Sequence, residues 1–210
     1  MLQKNNPFDE IVDDYEAWFR KNDKLLASEV EAIRPLIPLS GKGIEIGVGT
    51  GIFASALEIK DGVEPSESMA SEAIKRGIHV IIGQAEKLPV ADSSYQFALM
   101  VTADCFMDDV AKAFAEIKRI LADQGIFIIA FLDKATPLGN WYEKTKHLHR
   151  SYQDANFHSA AEIANYLEDT GFEILEKKQT IYSLDNEYQE SKDDVGEGVF
   201  AVMKARKMFD

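Results

Sequence analysis

Cysteine is nearly absent from this chain: Cys105 stands alone among 210 residues. One thiol cannot form an intramolecular disulfide, and it excludes multi-cysteine metal and iron–sulfur sites together with the radical chemistry they support. Positive charge is also scarce, with 23 Lys and Arg against 36 Asp and Glu and a formal net charge of −13. A basic face supplies most of the affinity for duplex nucleic acid, so no nucleic-acid partner is expected. No apolar run approaches the roughly 20 residues of a membrane-spanning helix. The polar start, residues 1–9, lacks the apolar segment of a secretory signal. The expectation is a cytoplasmic protein with no membrane partner, acting as a monomer or homodimer. What is present is an ordinary hydrophobic fraction of 46% and a length that suits one α/β domain with a small appendage.

Phe8, Ile11, Val12, Tyr15, Trp18 and Phe19 fall on one helical stripe, and Leu25, Leu26, Val30 and Ile33 on a second that stops at Pro35. Pro38, Ser40 and Gly41 then break the chain. After them, short apolar runs at 43–47, 61–64, 78–82, 97–101 and 126–131 alternate with helical patterns at 53–57, 69–76 and 110–121. Asp108 or Asp109 caps the last of these helices, and Gly125 is expected to end it. Apolar runs each followed by a helix indicate a parallel sheet covered on both faces. Further on, Ser159-Ala160-Ala161-Glu162 has the form of a capping box, for a helix ending at Thr170-Gly171. Residues 172–181 and 199–204 read as strands, and the polar link between them suits an antiparallel pair at the sheet edge. The acidic run at 185–194 reads as a solvated loop. The expected fold is α/β, a doubly wound, mostly parallel seven-stranded sheet with an antiparallel last strand. It is read as one domain: a helical cap over 1–40, a core over 41–132, and a substrate-side insertion with terminal strands over 133–210.

The segment most charged with chemistry is 43–51, Gly-Ile-Glu-Ile-Gly-Val-Gly-Thr-Gly, a strand running into a glycine turn and a helix. Such a turn lets a ligand approach bare backbone, with the helix start behind it offering amide donors. Ligands of open parallel sheets bind at the carboxyl ends of the strands. A dinucleotide fingerprint needs a third glycine where Ile52 stands, and a triphosphate loop needs Lys where Ile52-Phe53 follows. Glu64 ends the second apolar run, where a carboxylate can accept hydrogen bonds from both hydroxyls of a ribose. The plainer readings are a tight bend and a solvated loop acid.

Taken in order, residues 43–51, 62–69, 83–89 and 116–131 resemble the class I S-adenosylmethionine-dependent methyltransferases of the type 11 branch, the group that includes the quinone-biosynthesis methyltransferases. The remainder resembles a smaller set of uncharacterised bacterial and archaeal members. The resemblance implies S-adenosylmethionine as cofactor and S-adenosylhomocysteine as product. It implies that Glu45 and the turn at Gly47, Val48, Gly49 and Gly51 hold the methionine part. Glu64 would take the ribose, Ser66 and Met69 would lie beside the adenine, Gln84 and Ala85 would read its edge, Thr102 would sit beside the sulfonium, and Pro65 and Glu86 would be further cofactor contacts. The family usually has Asp where this chain has Gln84, whose side-chain oxygen can still accept from the adenine amino group.

Methyl transfer from a sulfonium needs alignment and exclusion of water more than a base. No Asn/Asp-Pro-Pro-aromatic turn follows the fourth run, which reads Val101-Thr102-Ala103-Asp104-Cys105-Phe106. That argues against base and amide acceptors, and the lone cysteine argues against arsenite. Candidate catalytic residues are Tyr15, Asp104, Asp133, His147 and His149, although Asp133 equally suits a turn cap and the histidines a surface. Two histidines two apart with no third ligand do not make a metal site. Tyr15, Trp18, Phe19, Phe106, Trp141, Tyr142 and Arg150 are candidate acceptor contacts. The first three either close over the ligands or form the buried stripe of their helix. The expected function is methyl transfer to a small-molecule acceptor. The alternatives are a cofactor-binding sensor, a protein methyltransferase and an NAD-dependent oxidoreductase.

Overall fold

Residues 126–131 are apolar in unbroken succession, a pattern that suits a strand buried on both faces. In the computed structural model, which describes residues 7–209, they form most of β5 (Leu121–Leu132). Phe127, Ile129 and Phe131 enter one hydrophobic layer, and Ile128 and Ala130 enter the other. The other strands are β1 (Gly43–Ile46), β2 (Asp61–Glu64), β3 (His79–Ile82), β4 (Tyr95–Val101), β6 (Phe172–Thr180), β7 (Lys192–Asp193) and β8 (Phe200–Lys207). Their order across the sheet is β3-β2-β1-β4-β5-β8-β6-β7, with the first five parallel and the last three antiparallel. The cap positions at 1–6 and residue 210 lie outside the described residues.

The sheet has 8 strands, not the seven expected. The additional one, β7, is a two-residue pairing with Lys178 and Gln179 of β6, formed inside the polar link after β6. β8 does pair antiparallel with β6, but it is inserted between β5 and β6 and bonds to both. α5 (Val110–Ile120) and α7 (Ala160–Asp169) cover one face, and α2 (Asp23–Ile33), α3 (Ile52–Ala56), α4 (Glu67–Lys75) and α6 (Pro137–Thr145) lie on the other.

Local chemistry explains most helix ends. Asp109 caps α5 by accepting from Lys112 N at 3.0 Å. The capping box is complete: Ser159 Oγ accepts from Glu162 N while Glu162 accepts from Ser159 N. Gly171, at φ +83°, follows α7. Gly125 does not end α5. That helix passes directly into β5 at Leu121, and Gln124 takes the left-handed turn at φ +59°. The turn belongs to a register shift, with Tyr95 opposite Leu121 and Phe97 opposite Ile126.

The cap consists of α1 (Val12–Lys21) and α2, meeting at Asn22. The link after β6 braces that joint. Asn186 accepts from Lys24 N at 2.9 Å and donates to Lys21 O at 3.0 Å, and Gln189 N donates to Ser28 Oγ at 2.8 Å. The acidic side chains of this link are exposed as expected, but its backbone is tied to the cap.

Candidate active site

β1 and β2 end side by side, and the carboxylate of Glu64 joins the loops beyond the two strands. Its Oε2 accepts from Gly49 N at 2.8 Å and its Oε1 from Ser66 N at 2.9 Å. The turn can carry an amide to that carboxylate because Gly47, Gly49 and Gly51 all adopt positive φ, which other residues enter only with strain. A Cβ on Gly47 would stand 2.7 Å from that of Ala103, so the neighbouring loop also requires a bare backbone there. The amide expected to be offered by the turn is thus already donated within the protein, and α3 behind it is only 5 residues long. Each Glu64 oxygen keeps a second lone pair. Burial pushes the Glu64 pKa up, the Ser66 and Gly49 amides pull it back in part, and Asp9 adds to the rise.

A cavity of about 1230 Å³ opens from this point. Gly47, Gly49, Glu64, Pro65, Met69, Gln84, Ala85, Glu86 and Thr102 line one end of it. All seven residues read as acceptor contacts also line it: Tyr15, Trp18, Phe19, Phe106, Trp141, Tyr142 and Arg150. Helix α1 buries none of its residues fully: Tyr15, Trp18 and Phe19 line the cavity, while Phe19 also packs against the core and Trp18 reaches solvent. The rings meet edge-on, Tyr15 on Phe19 at 4.9 Å and Trp18 on Phe19 at 4.9 Å. Across the cavity, Phe106 stacks on Tyr152 at 6.2 Å, and Tyr142 packs on Tyr152 at 5.8 Å. His149 lies beside Trp141 at 5.8 Å and lines the cavity, whereas His147 is exposed and does not.

Electrostatically this region is a nest of carboxyls around a phenol. A Cβ on Gly49 would stand 3.8 Å from the Tyr15 hydroxyl. Burial pushes the Tyr15 pKa far above that of a free phenol, and the charges of Glu45, Glu29, Glu64 and Glu16 push the same way. Glu45 on β1 is buried behind the cavity and is not among its lining residues, with its Oε2 lacking any hydrogen-bond partner among the described residues. Burial raises its pKa well above the usual carboxylate range, and the Ala54 amide opposes that only in part. Thr102, a β-branched residue, sits at φ +47° with its N–H donated to Ala130 O at 2.8 Å. A side chain held in that region costs on the order of 1–3 kcal/mol, a strain that tends to collect at functional sites.

Other candidates lie behind the wall. Ser66 is fully buried, caps the helix α4 (Glu67–Lys75) by accepting from Met69 N, and donates to Asp9 at 2.6 Å. Val48 packs against Gly62, and Gly51 against Ala73. Asp133 accepts from Ala135 N and Ala160 N at 2.9 and 3.2 Å, the turn-capping role left open for it. Asp104 pairs with His158 at 2.9 Å, both buried, and burial raises the pKa of Asp104 against the pull of His158. Cys105 is buried beside it, its pKa also raised by burial, which leaves an inert thiol.

The comparisons with known proteins decide what this arrangement is. A family model described as a methyltransferase domain matches residues 18–177. Over 205 residues the chain is 40% identical to a protein of Methanocaldococcus jannaschii described only as uncharacterised, covering 97% of this chain and 100% of that one. A crystal structure from Thermotoga maritima, described as an SAM-dependent methyltransferase and possible histamine N-methyltransferase, matches with TM-score 0.92 at 42% identity, over 96% of this chain and 98% of that one. The chain belongs to the S-adenosylmethionine-dependent methyltransferases. A malonyl-[acyl-carrier protein] O-methyltransferase of Geobacter sulfurreducens is 27% identical over 148 residues, 62% of this chain and 53% of that protein. The cofactor of this methyltransferase is S-adenosylmethionine, and the dehydrogenase alternative falls.

Sequence reasoning did not find several wall residues of the methyltransferase. Phe8, Leu25 and Leu184 line the cavity. Leu184 comes from the polar link after β6, where nothing local signals a wall position. His158 was not singled out either, because its partner Asp104 is 54 residues away.

Proposed function

We propose that this methyltransferase transfers a methyl group from S-adenosylmethionine to a small molecule enclosed in the cavity. The observation that carries the reading is the extent of that cavity, about 1230 Å³ from Glu64 and the glycine turn to the aromatic wall. A pocket for one small ligand takes roughly 300–1,000 Å³, so there is room for cofactor and acceptor together. A lone buried thiol, Cys105, suits a reducing cytoplasm, and we read the protein as cytoplasmic, monomeric or homodimeric.

The residues of the glycine turn and those around it fit the cofactor. Glu64 retains lone pairs for the two ribose hydroxyls, and the unpartnered Oε2 of Glu45 suits the methionine ammonium side. Gly47 and Gly49 leave backbone bare, while Pro65, Met69, Gln84, Ala85 and Glu86 would flank the adenine. Ser66, Val48 and Gly51 would act from behind, by shaping the turn and capping α4. When bound, the cofactor supplies an electrophilic methyl group on a sulfonium. Thr102 lines the same cavity, and beside the sulfonium it would help orient the acceptor. Tyr15, Trp18 and Phe19 of α1 would exclude water from above.

Calorimetric titration with S-adenosylmethionine, S-adenosylhomocysteine and NADH, on the wild type and on Glu64→Ala, tests this reading. Both adenosyl ligands should bind and NADH should not. Hydrogen bonds to a charged group contribute about 1.5–3 kcal/mol, so Glu64→Ala should weaken binding roughly 10- to 150-fold. Unchanged affinity in the variant would remove Glu64 from the site.

A further inference from the structure

Large apolar side chains left open to water gather at the cavity. Among the described residues 11 are exposed, and four of them line it: Trp18 at 41%, Trp141 at 42%, Leu148 at 71% and Leu184 at 39%. Apolar residues scattered singly over a surface need no explanation, but several gathered at one cavity mark a place where something binds. The four come from segments far apart in the chain: α1, the stretch from α6 into the turn after it, and the link after β6. Both tryptophans of the sequence are among them.

Hydrogen-bonded backbone presents these side chains. Leu148 ends a turn in which His149 N donates to Lys146 O at 3.0 Å. Leu184 follows Tyr182 and Ser183, whose amides donate to Gln189 Oε1 at 2.6 and 3.1 Å. Each tryptophan is backed by rings and offers its remaining surface: Trp18 rests on Phe19, and Trp141 on Tyr142 at 5.2 Å and His149 at 5.8 Å. An anionic lipid surface does not suit this face, because Asp14 and Asp154 line the same cavity and the chain carries a net charge of −13. The same charge opposes a second copy there. What fits is a single molecule that reaches from within the cavity to the four side chains, with hydrocarbon where it meets them.

We propose that Trp18, Trp141, Leu148 and Leu184 form a subsite for an apolar chain, and that the methyl acceptor is therefore an amphipathic molecule. Its polar reacting group lies inside the cavity and its hydrocarbon extension covers the four side chains. The inference rests on the two-ligand reading of the cavity given above. Covering these side chains removes apolar surface of protein and ligand from water together, so affinity grows with the length of the extension.

The test uses the protein saturated with S-adenosylhomocysteine and the straight-chain primary alcohols from butanol to octanol, read by calorimetry and by tryptophan fluorescence. Trp18 and Trp141 are the only tryptophans, so their emission reports this surface directly. Affinity should rise about 3- to 4-fold per methylene, the scale of one buried CH2, and the emission should move to shorter wavelength as octanol binds. Leu148→Ser combined with Leu184→Ser should weaken octanol binding about 10-fold, while S-adenosylhomocysteine binding changes much less. The proposal is overturned if affinity does not depend on chain length, or if no alcohol binds the saturated protein. It is equally overturned if octanol binds without moving the emission, or binds the double variant as well as the wild type. Emission that shifts with protein concentration alone would place a second copy over these side chains and overturn it too. The wild-type series decides the matter even where the variant fails to fold. Failure of S-adenosylhomocysteine itself to bind is a separate result, which removes the cofactor reading and this inference with it.

Discussion

Glu29 keeps its proton to about pH 8 in the folded chain, against an ordinary value of 4.5. Between those values the folded state holds more protons than the unfolded one, so this group's contribution to stability is greatest below pH 4.5 and is lost as pH rises through 8. Glu29→Gln abolishes the titration. Urea melts should show variant and wild type close at pH 5, with the variant gaining by up to a few kcal/mol at pH 9. A constant difference across that range would mean that the carboxyl has found a partner. Such a gain at alkaline pH would mark Glu29 as a residue retained at a cost in stability. Its burial was not legible in the sequence. Between Leu25 and Val30 a glutamate reads as a polar position on an amphipathic helix, and only the packing of distant segments over α2 buries it. Glu64 was legible, because a strand end and a nearby glycine turn are both local signals.

At the scale of elements, the side chain of Arg76 ties the cap to the glycine turn. Arg76, just past α4, donates to Thr50 O at 2.8 Å and to Glu16 Oε2 at 2.7 Å. Arg76→Ala would leave Glu16 largely buried and unpaired, a loss of about 1.5–3 kcal/mol. Limited proteolysis should then cut near α1 sooner than in the wild type, with S-adenosylhomocysteine protecting less well. Equal cleavage rates would show that the aromatic contacts of α1 suffice. The sequence disclosed elements whose cause is local: the buried run of β5, the Asp109 cap, the capping box at Ser159. It did not disclose β7, which exists only because β6 offers an edge, nor the end of α5, where the register of β4 against β5 moved the turn from Gly125 to Gln124. The aromatic lining of the cavity was legible in part, since Tyr15, Trp18 and Phe19 repeat at helical spacing. The withdrawal of Asp104 and Asp133 from the cavity followed from partners that spacing does not reveal.

For the whole molecule, a cavity walled by the cap, the glycine turn and the segment after β5 couples ligand binding to global stability. S-adenosylhomocysteine at about 100 times its dissociation constant should add about 2.7 kcal/mol. At roughly 2–4 °C per kcal/mol for a chain of this size, Tm should rise by about 5–10 °C. Glu64→Ala should lose most of that rise at the same ligand concentration, and a thermal shift series checks both. The insertion of β8 between β5 and β6 bears on a different process, the birth of the chain on the ribosome. β6 emerges before the strand that must separate it from β5, so the sheet cannot assemble in the order of translation. The cap joint is made early, yet the Asn186 that clamps Lys24 follows it by 162 residues. A growing chain can therefore form its glycine turn long before it can close the cavity, and methyl transfer has to await the last strands.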